Sequence, residues 1–197
     1  MKISSSDEVT KMSTVASKEN IRKLVKGELP LQIIHDMIRM PQKDEDRFWK
    51  YLEVLQEGVT WQDKILLRIS DNLYVVAKAD RQRVVKCTCG QEFGDYRTNW
   101  KLSALVYARR TDDEIREVYT TAVRPRAGYV EIREFYCPGC QAQLGVEVVP
   151  FGYPFVFEVL PDIDSVYSIE GKPLPDASKE WFENRTFSTT RRWVSEE

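Results

Sequence analysis

Between residues 18 and 57, apolar positions recur every three or four residues, the spacing that gathers them on one face of a helix. Ile21, Leu24 and Val25 share such a face in "KENIRKLVKG", with Ser17 placed to cap the start and Gly27 to stop the end. "LPLQIIHDMIRM" follows, with Pro30 near its first turn and Pro41 at its close. Phe48, Leu52 and Leu55 repeat the pattern in "EDRFWKYLEVLQEG", which Asp44 is expected to cap and Gly58 to end. The pattern predicts a helical arm of three short helices over 17–62.

From about residue 63 the period changes. "KILLRI", "NLYVVAKA", "RVVKC", "KLSALVYARR", "YVEIREFYC" and "LGVEVV" read as strands, and "DDEIREVY" as one short helix. Alternation places Leu144, Val146 and Val148 on one face of the last strand, and Val130, Ile132 and Tyr136 on one side of the strand before it. "FGDY" and "FGYP" read as turns. Residues 1–16, six of them Ser or Thr, predict a flexible tail. Residues 171–197 are expected to be an extended C-terminal tail. Pro173 and Pro175 keep its start out of helix, and Trp181, Phe182, Phe187 and Trp193 suit an anchor on a partner.

Composition bounds the function. Apolar residues at 42%, charged residues at 30% and a net charge of -2 describe a globular chain rather than a polycationic one. No run reaches the 18 or so apolar residues of a membrane helix, and the first residues lack the apolar core of a secretory signal, so the expected compartment is cytoplasmic. Disulfides seldom persist there, which turns attention to what four cysteines do as thiols.

They fall in two close pairs, Cys87 with Cys89 and Cys137 with Cys140. Zinc takes four ligands at tetrahedral corners, commonly thiolates, and two tight turns offering two sulfurs each can supply them. Cys137-Pro-Gly-Cys140 lies between two predicted antiparallel strands, where Gly139 could take a positive φ. Cys87-Thr-Cys89 has a one-residue gap instead of the usual two to four, but in an extended strand both side chains would point the same way. A thioredoxin-type dithiol needs a helix after its motif, whereas "QAQLGVEVV" alternates like a strand. Four thiolates close the site and make a poor Lewis acid, with Lys86, Lys101 and Arg133 near enough in sequence to offset their charge. The single histidine, His35, lies in the helical arm beside Ile34 and Ile38, far from the cysteines. No glycine-rich phosphate loop is visible, so no catalytic residues are assigned. The fold class is therefore α+β: an N-terminal helical arm, then an antiparallel β-rich zinc-binding domain over 63–170 with a zinc-ribbon-like site.

The strings "CGQEFGDYRTNWKLSALVY", "EIREFYCPGC" and "VEVVPFGYP", with "IRKLVKGELPLQIIHDMIRMPQKDEDRFWKYLEVLQEGVTWQDKILL" before them, closely resemble the acetone carboxylase gamma subunit family over residues 17–170. The resemblance implies a small zinc-stiffened subunit in a heterohexamer with two larger subunits, alpha and beta. Those would use ATP and manganese to turn acetone and bicarbonate into acetoacetate. The competing reading is a nucleic-acid-binding zinc ribbon, since "RQRVVKC" to "EIREFYC" carries a mild excess of Lys and Arg with Phe93, Tyr96, Trp100 and Tyr107 nearby. Phosphate binding favours a dense basic patch, and here Arg97 and Arg109 have Asp95 and Asp112 close in sequence. Neither nucleic acid nor membrane is expected as a partner.

Overall fold

The computed structural model describes residues 16–174 and 183–195. Among the described residues three helices come first: α1 (Lys18–Val25), α2 (Leu31–Arg39) and α3 (Arg47–Glu57). Ser17 caps α1 by accepting the Asn20 N–H at 3.2 Å. Gly27, at φ +73°, ends it by giving its N–H to the Leu24 carbonyl, while Glu28 bonds back to Lys23. Asp44 does not cap α3. The Arg47 N–H closes a preceding turn on the Asp44 carbonyl, so the helix starts two residues later, with Asp46 at the cap position. The expectation for 1–16 lies outside the described residues except at Ala16, which is buried.

Two antiparallel sheets follow. β1 (Lys64–Ser70), β2 (Leu73–Ala77), β3 (Arg83–Cys87) and β4 (Glu92–Asp95) form one in simple sequence order. β5 (Leu105–Arg109), β6 (Val130–Tyr136) and β7 (Gln143–Pro150) form the other, with α4 (Asp112–Val118) in the β5–β6 connection. The first part of "KLSALVYARR" is a 3₁₀ turn, Trp100–Ser103, because the Asn99 side chain accepts the Lys101 N–H and bends the chain ahead of β5. "EFGD", read as a turn, is β4.

α3 serves two cores. Val54 joins Ile21, Leu29 and Met37 between the helices, while Leu52 and Leu55 face the large core with Leu66, Val75, Val85 and Phe135. A line of edge-to-face rings crosses from one sheet to the other: Phe93 to Trp100 at 6.2 Å, Trp100 to Phe135 at 5.8 Å, Phe135 to Phe155 at 5.3 Å. Each such pair adds about 0.5–1.5 kcal/mol beyond its buried area.

The alternation expected in β7 breaks. Leu144 and Val149 are buried, Val146 and Val148 are half exposed, and Glu147 is buried. The cause is a register shift opposite Phe135 and Tyr136, which makes Leu144 an extra residue and turns Gly145, Glu147 and Val149 inward. Inside, Glu147 holds Lys101 at 2.6 Å and Arg133 at 3.0 Å, and Arg133 also binds Glu131. These cations fix the irregular segment 151–162 over the sheet: Lys101 donates to the Val156 carbonyl at 2.9 Å and pairs with Glu158, and Arg133 donates to the Tyr153 carbonyl.

Two further elements lie where no helix was expected. α5 (Ile163–Ile169) starts at Asp162, which accepts the Ser165 N–H, and its Tyr167 hydroxyl donates to the Leu66 carbonyl at 3.2 Å. α6 (Thr186–Ser195) replaces extended chain in the C-terminal tail. The prolines restrict only the tail's beginning. From 183 onward no Pro or Gly interrupts, and Asn184 accepts the Thr186 N–H. The turn before α6 packs on its own chain, with the Arg185 N–H bonded to the Arg97 carbonyl at 2.8 Å. Trp181 and Phe182 lie outside the described residues.

Breaking the buried charge chain should be costly, because one partner's removal strands the other's charge. Arg133→Ala is expected to lower the unfolding free energy by about 3–5 kcal/mol in urea titration. A loss under about 1 kcal/mol, the range of exposed pairs, would mean that the network is hydrated.

Candidate metal centre

Each sheet contributes one hairpin turn, and the two turns meet. β3 ends on Cys87, whose N–H bonds to the Gln91 carbonyl and whose carbonyl accepts the Gly90 N–H, both at 2.8 Å. Gly90 completes this turn at φ +99°. Cys137 follows β6 and is held in the same way, its N–H on the Ala142 carbonyl at 2.9 Å and its carbonyl accepting from Gln141 at 2.8 Å. The first turn closes one residue sooner than the second. That explains the short Cys87–Cys89 gap: Cys89 lies in a turn rather than in the extended strand expected for it.

All four sulfurs lie within 4.8 Å of one another. Cys87 Sγ is 3.8 Å from Cys140 Sγ, and Cys89 Sγ is 3.7 Å from Cys137 Sγ. Around a metal with bonds of about 2.3 Å to sulfur, tetrahedral edges are about 3.8 Å, so the donor set fits a metal ion. The first cysteine of each turn is buried and the second exposed. Burial pushes the Cys87 thiol strongly up from its ordinary value and raises that of Cys89, while the Ala142 N–H donated to its sulfur draws Cys140 down. Backbone N–H groups of Cys89 and Gln91 likewise favour the thiolates of Cys87 and Cys89. A dication would supply the remaining charge that burial opposes.

Gly139 does not take the positive φ expected of it; Gln141 does, at +61°. Its lack of a side chain serves the meeting of the turns instead. A Cβ there would stand 3.3 Å from Gln91 Cβ and 3.4 Å from Cys89 Sγ. Lys86, Lys101 and Arg133 are each engaged by carboxylates: Lys86 with Asp63 at 2.5 Å and Glu92 at 3.3 Å, and the other two in the buried chain above. Their charge is thus already matched. His35 is half buried in α2. A supporting residue escaped the sequence reading. Trp61 donates its indole N–H to the carbonyls of Cys87 at 3.2 Å and Thr88 at 3.1 Å, and its ring would touch a Cβ at Gly90.

The profile of the family described as acetone carboxylase gamma subunit matches residues 59–169, which hold both turns. The chain belongs to this family. It is 36% identical over 162 residues to the acetone carboxylase gamma subunit of Xanthobacter autotrophicus, covering 81% of this chain and 96% of that one. It is 37% identical over 82 residues to the acetophenone carboxylase beta subunit of Aromatoleum aromaticum, covering 40% of this chain and 62% of that one. Both relatives are subunits of carboxylating enzymes. No helix among the described residues of this gamma-family chain is long and apolar enough to cross a membrane.

Trp61→Phe keeps an aromatic ring, though a smaller one, and removes the donor. It is expected to cost about 1–3 kcal/mol of stability, read by chemical denaturation, and to raise amide exchange at Thr88 and Cys89. Unchanged exchange there would show that the indole does not hold the turn.

Proposed function

We propose that this chain is the small zinc-binding structural subunit of an ATP-dependent acetone carboxylase, with Cys87, Cys89, Cys137 and Cys140 as the four zinc ligands. The observation that carries the reading is the convergence of four thiols from two sheets within 4.8 Å, in a chain that aligns with 96% of an acetone carboxylase gamma subunit. Carboxylation of acetone with bicarbonate to acetoacetate belongs, in this reading, to two larger cytoplasmic subunits, alpha and beta. They hold manganese and ATP and form a heterohexamer with this chain.

Zinc supplies cross-linking charge rather than Lewis acidity here, because four thiolates leave no position for water or substrate. The chain's own residues supply the frame: the turns aim the sulfurs, backbone N–H groups favour their thiolates, and Trp61 braces the first turn. The nucleic-acid reading gains little from the structure. Arg83, Lys86, Arg97, Lys101, Arg109 and Arg133 all pair with carboxylates.

Purified protein should contain one zinc per chain by plasma mass spectrometry, and Cys137→Ser should reduce it, an alcohol being a poor substitute for a soft thiolate. Less than half an equivalent in carefully prepared protein would contradict the assignment. The chain alone should neither hydrolyse ATP nor carboxylate acetone. Turnover that a point substitution in this chain abolishes would place catalysis here instead.

A further inference from the structure

Among the helices of the arm lies a cavity of about 350 Å³, lined by none of the four cysteines. Ile21 and Leu24 of α1, Met37 of α2, and Phe48 and Tyr51 of α3 give it apolar walls. Lys43, Asp44, Arg47 and Glu170 add two charges of each sign. Small-molecule sites commonly enclose about 300–1,000 Å³ and set a few polar groups among apolar walls, and this cavity has that make-up.

Two of its charged side chains are incompletely bonded. Among the described residues four buried side-chain polar atoms lack a hydrogen-bond partner, and two of them, Asp44 Oδ2 and Arg47 Nε, belong to residues lining this one cavity. Buried polar atoms are nearly always partnered, so two orphans at one cavity point to a ligand. Arg47 pairs with no carboxylate among the described residues, and its Nη2 donates to Met40 Sδ at 3.1 Å, a weak acceptor. Nε and Nη2 share the edge of a guanidinium that takes both oxygens of a carboxylate in parallel bonds. Asp44 Oδ2, as a carboxylate oxygen, accepts only and calls for a donor. Lys43 is already held by the Met37 and Ile38 carbonyls, at 3.0 and 2.6 Å.

We propose that this cavity binds a free apolar α-amino acid, with its carboxylate on Arg47, its ammonium on Asp44 and its side chain against the walls formed by α1, α2 and α3. Three features select that class. The lining charges cancel, which suits a zwitterion with no net charge. An apolar carboxylic acid would satisfy Arg47 and leave Asp44 without a donor, and an apolar amine would do the reverse. A polar side chain would lose its water against Ile21, Leu24, Met37 and Phe48 with nothing to replace it. The site stands apart from the zinc and carboxylase readings and needs neither.

The test is calorimetric titration of the full chain with L-leucine, with isocaproate, which lacks the ammonium, and with isoamylamine, which lacks the carboxylate. Leucine is expected to bind, and each analogue to bind about 10- to 100-fold more weakly, the loss of one charge-assisted hydrogen-bonded contact. Arg47→Met replaces the guanidinium with an apolar chain and strands no carboxylate. It should weaken leucine by a similar factor and leave isoamylamine unchanged. Asp44→Asn should weaken leucine and leave isocaproate unchanged. A general loss of folding would not give this crossed pattern, and thermal melting without ligand reports folding directly. The three ligands on the unaltered chain decide the matter even if a variant fails to fold. No saturable leucine binding at millimolar concentrations, an analogue that binds as tightly as leucine, or leucine binding that survives both folded variants would overturn the proposal.

Discussion

Two hairpin turns from separate hydrogen-bonded sheets meet at four sulfur atoms, and the rest of the structure takes its geometry from that meeting. β1–β4 and β5–β7 form distinct ladders, so backbone bonding within each sheet does not set the position of one against the other. The turns at Cys87–Gln91 and Cys137–Ala142 bring them to within a sulfur–sulfur contact. In small metal-dependent folds a structural zinc contributes on the order of 10–16 kcal/mol, so the ion proposed for this site would outweigh any other single contact in the frame. Gly139 is small because the turns approach so closely, and Trp61 spans the outside of the first.

Away from the sulfurs, side chains of two kinds tie the second sheet to what surrounds it. Phe93, Trp100, Phe135 and Phe155 give apolar contact with defined ring geometry. Lys101, Glu147, Arg133 and Glu131 give a buried alternating chain of charge, with Lys101 4.9 Å from the centre of the Phe135 ring. Such a chain adds less net stability than its short distances suggest, since four ions leave water to form it. Its effect is to select one placement of segment 151–162, whose carbonyls at Tyr153 and Val156 finish the cations' bonding. That segment brings Phe155 to the end of the aromatic line, so the polar and apolar links depend on each other.

Much of this was legible in the sequence, and the exceptions share a cause. The three helices of the arm announce themselves through spacing and through Ser17 and Gly27, which act locally. The four cysteines announce a site because they are few and paired. The phase of β7 was not legible: one extra residue at Leu144 exchanges the faces, and the reason lies in pairing with β6. Glu147 looked outward on alternation and is buried only because Lys101 and Arg133, distant in sequence, await it. Trp61 stands 26 residues from Cys87, and no spacing rule joins them. α5 carried a local signal in Asp162 with Ile163, Val166 and Tyr167, but its seven residues were masked by the prolines before it. α6 begins well beyond Pro173 and Pro175, whose influence on the backbone is confined to adjacent residues.

The central claim is that one metal ion locks the two sheets together through both turns at once. Hydrogen-exchange mass spectrometry before and after chelation tests it most directly. The account predicts that peptides containing Cys87–Gln91 and Cys137–Ala142 lose protection together, with loss spreading to β4 and the Trp100–Ser103 turn between the sheets. Loosening of one turn while the other keeps its protection, or no change in either after the metal is removed, would contradict it.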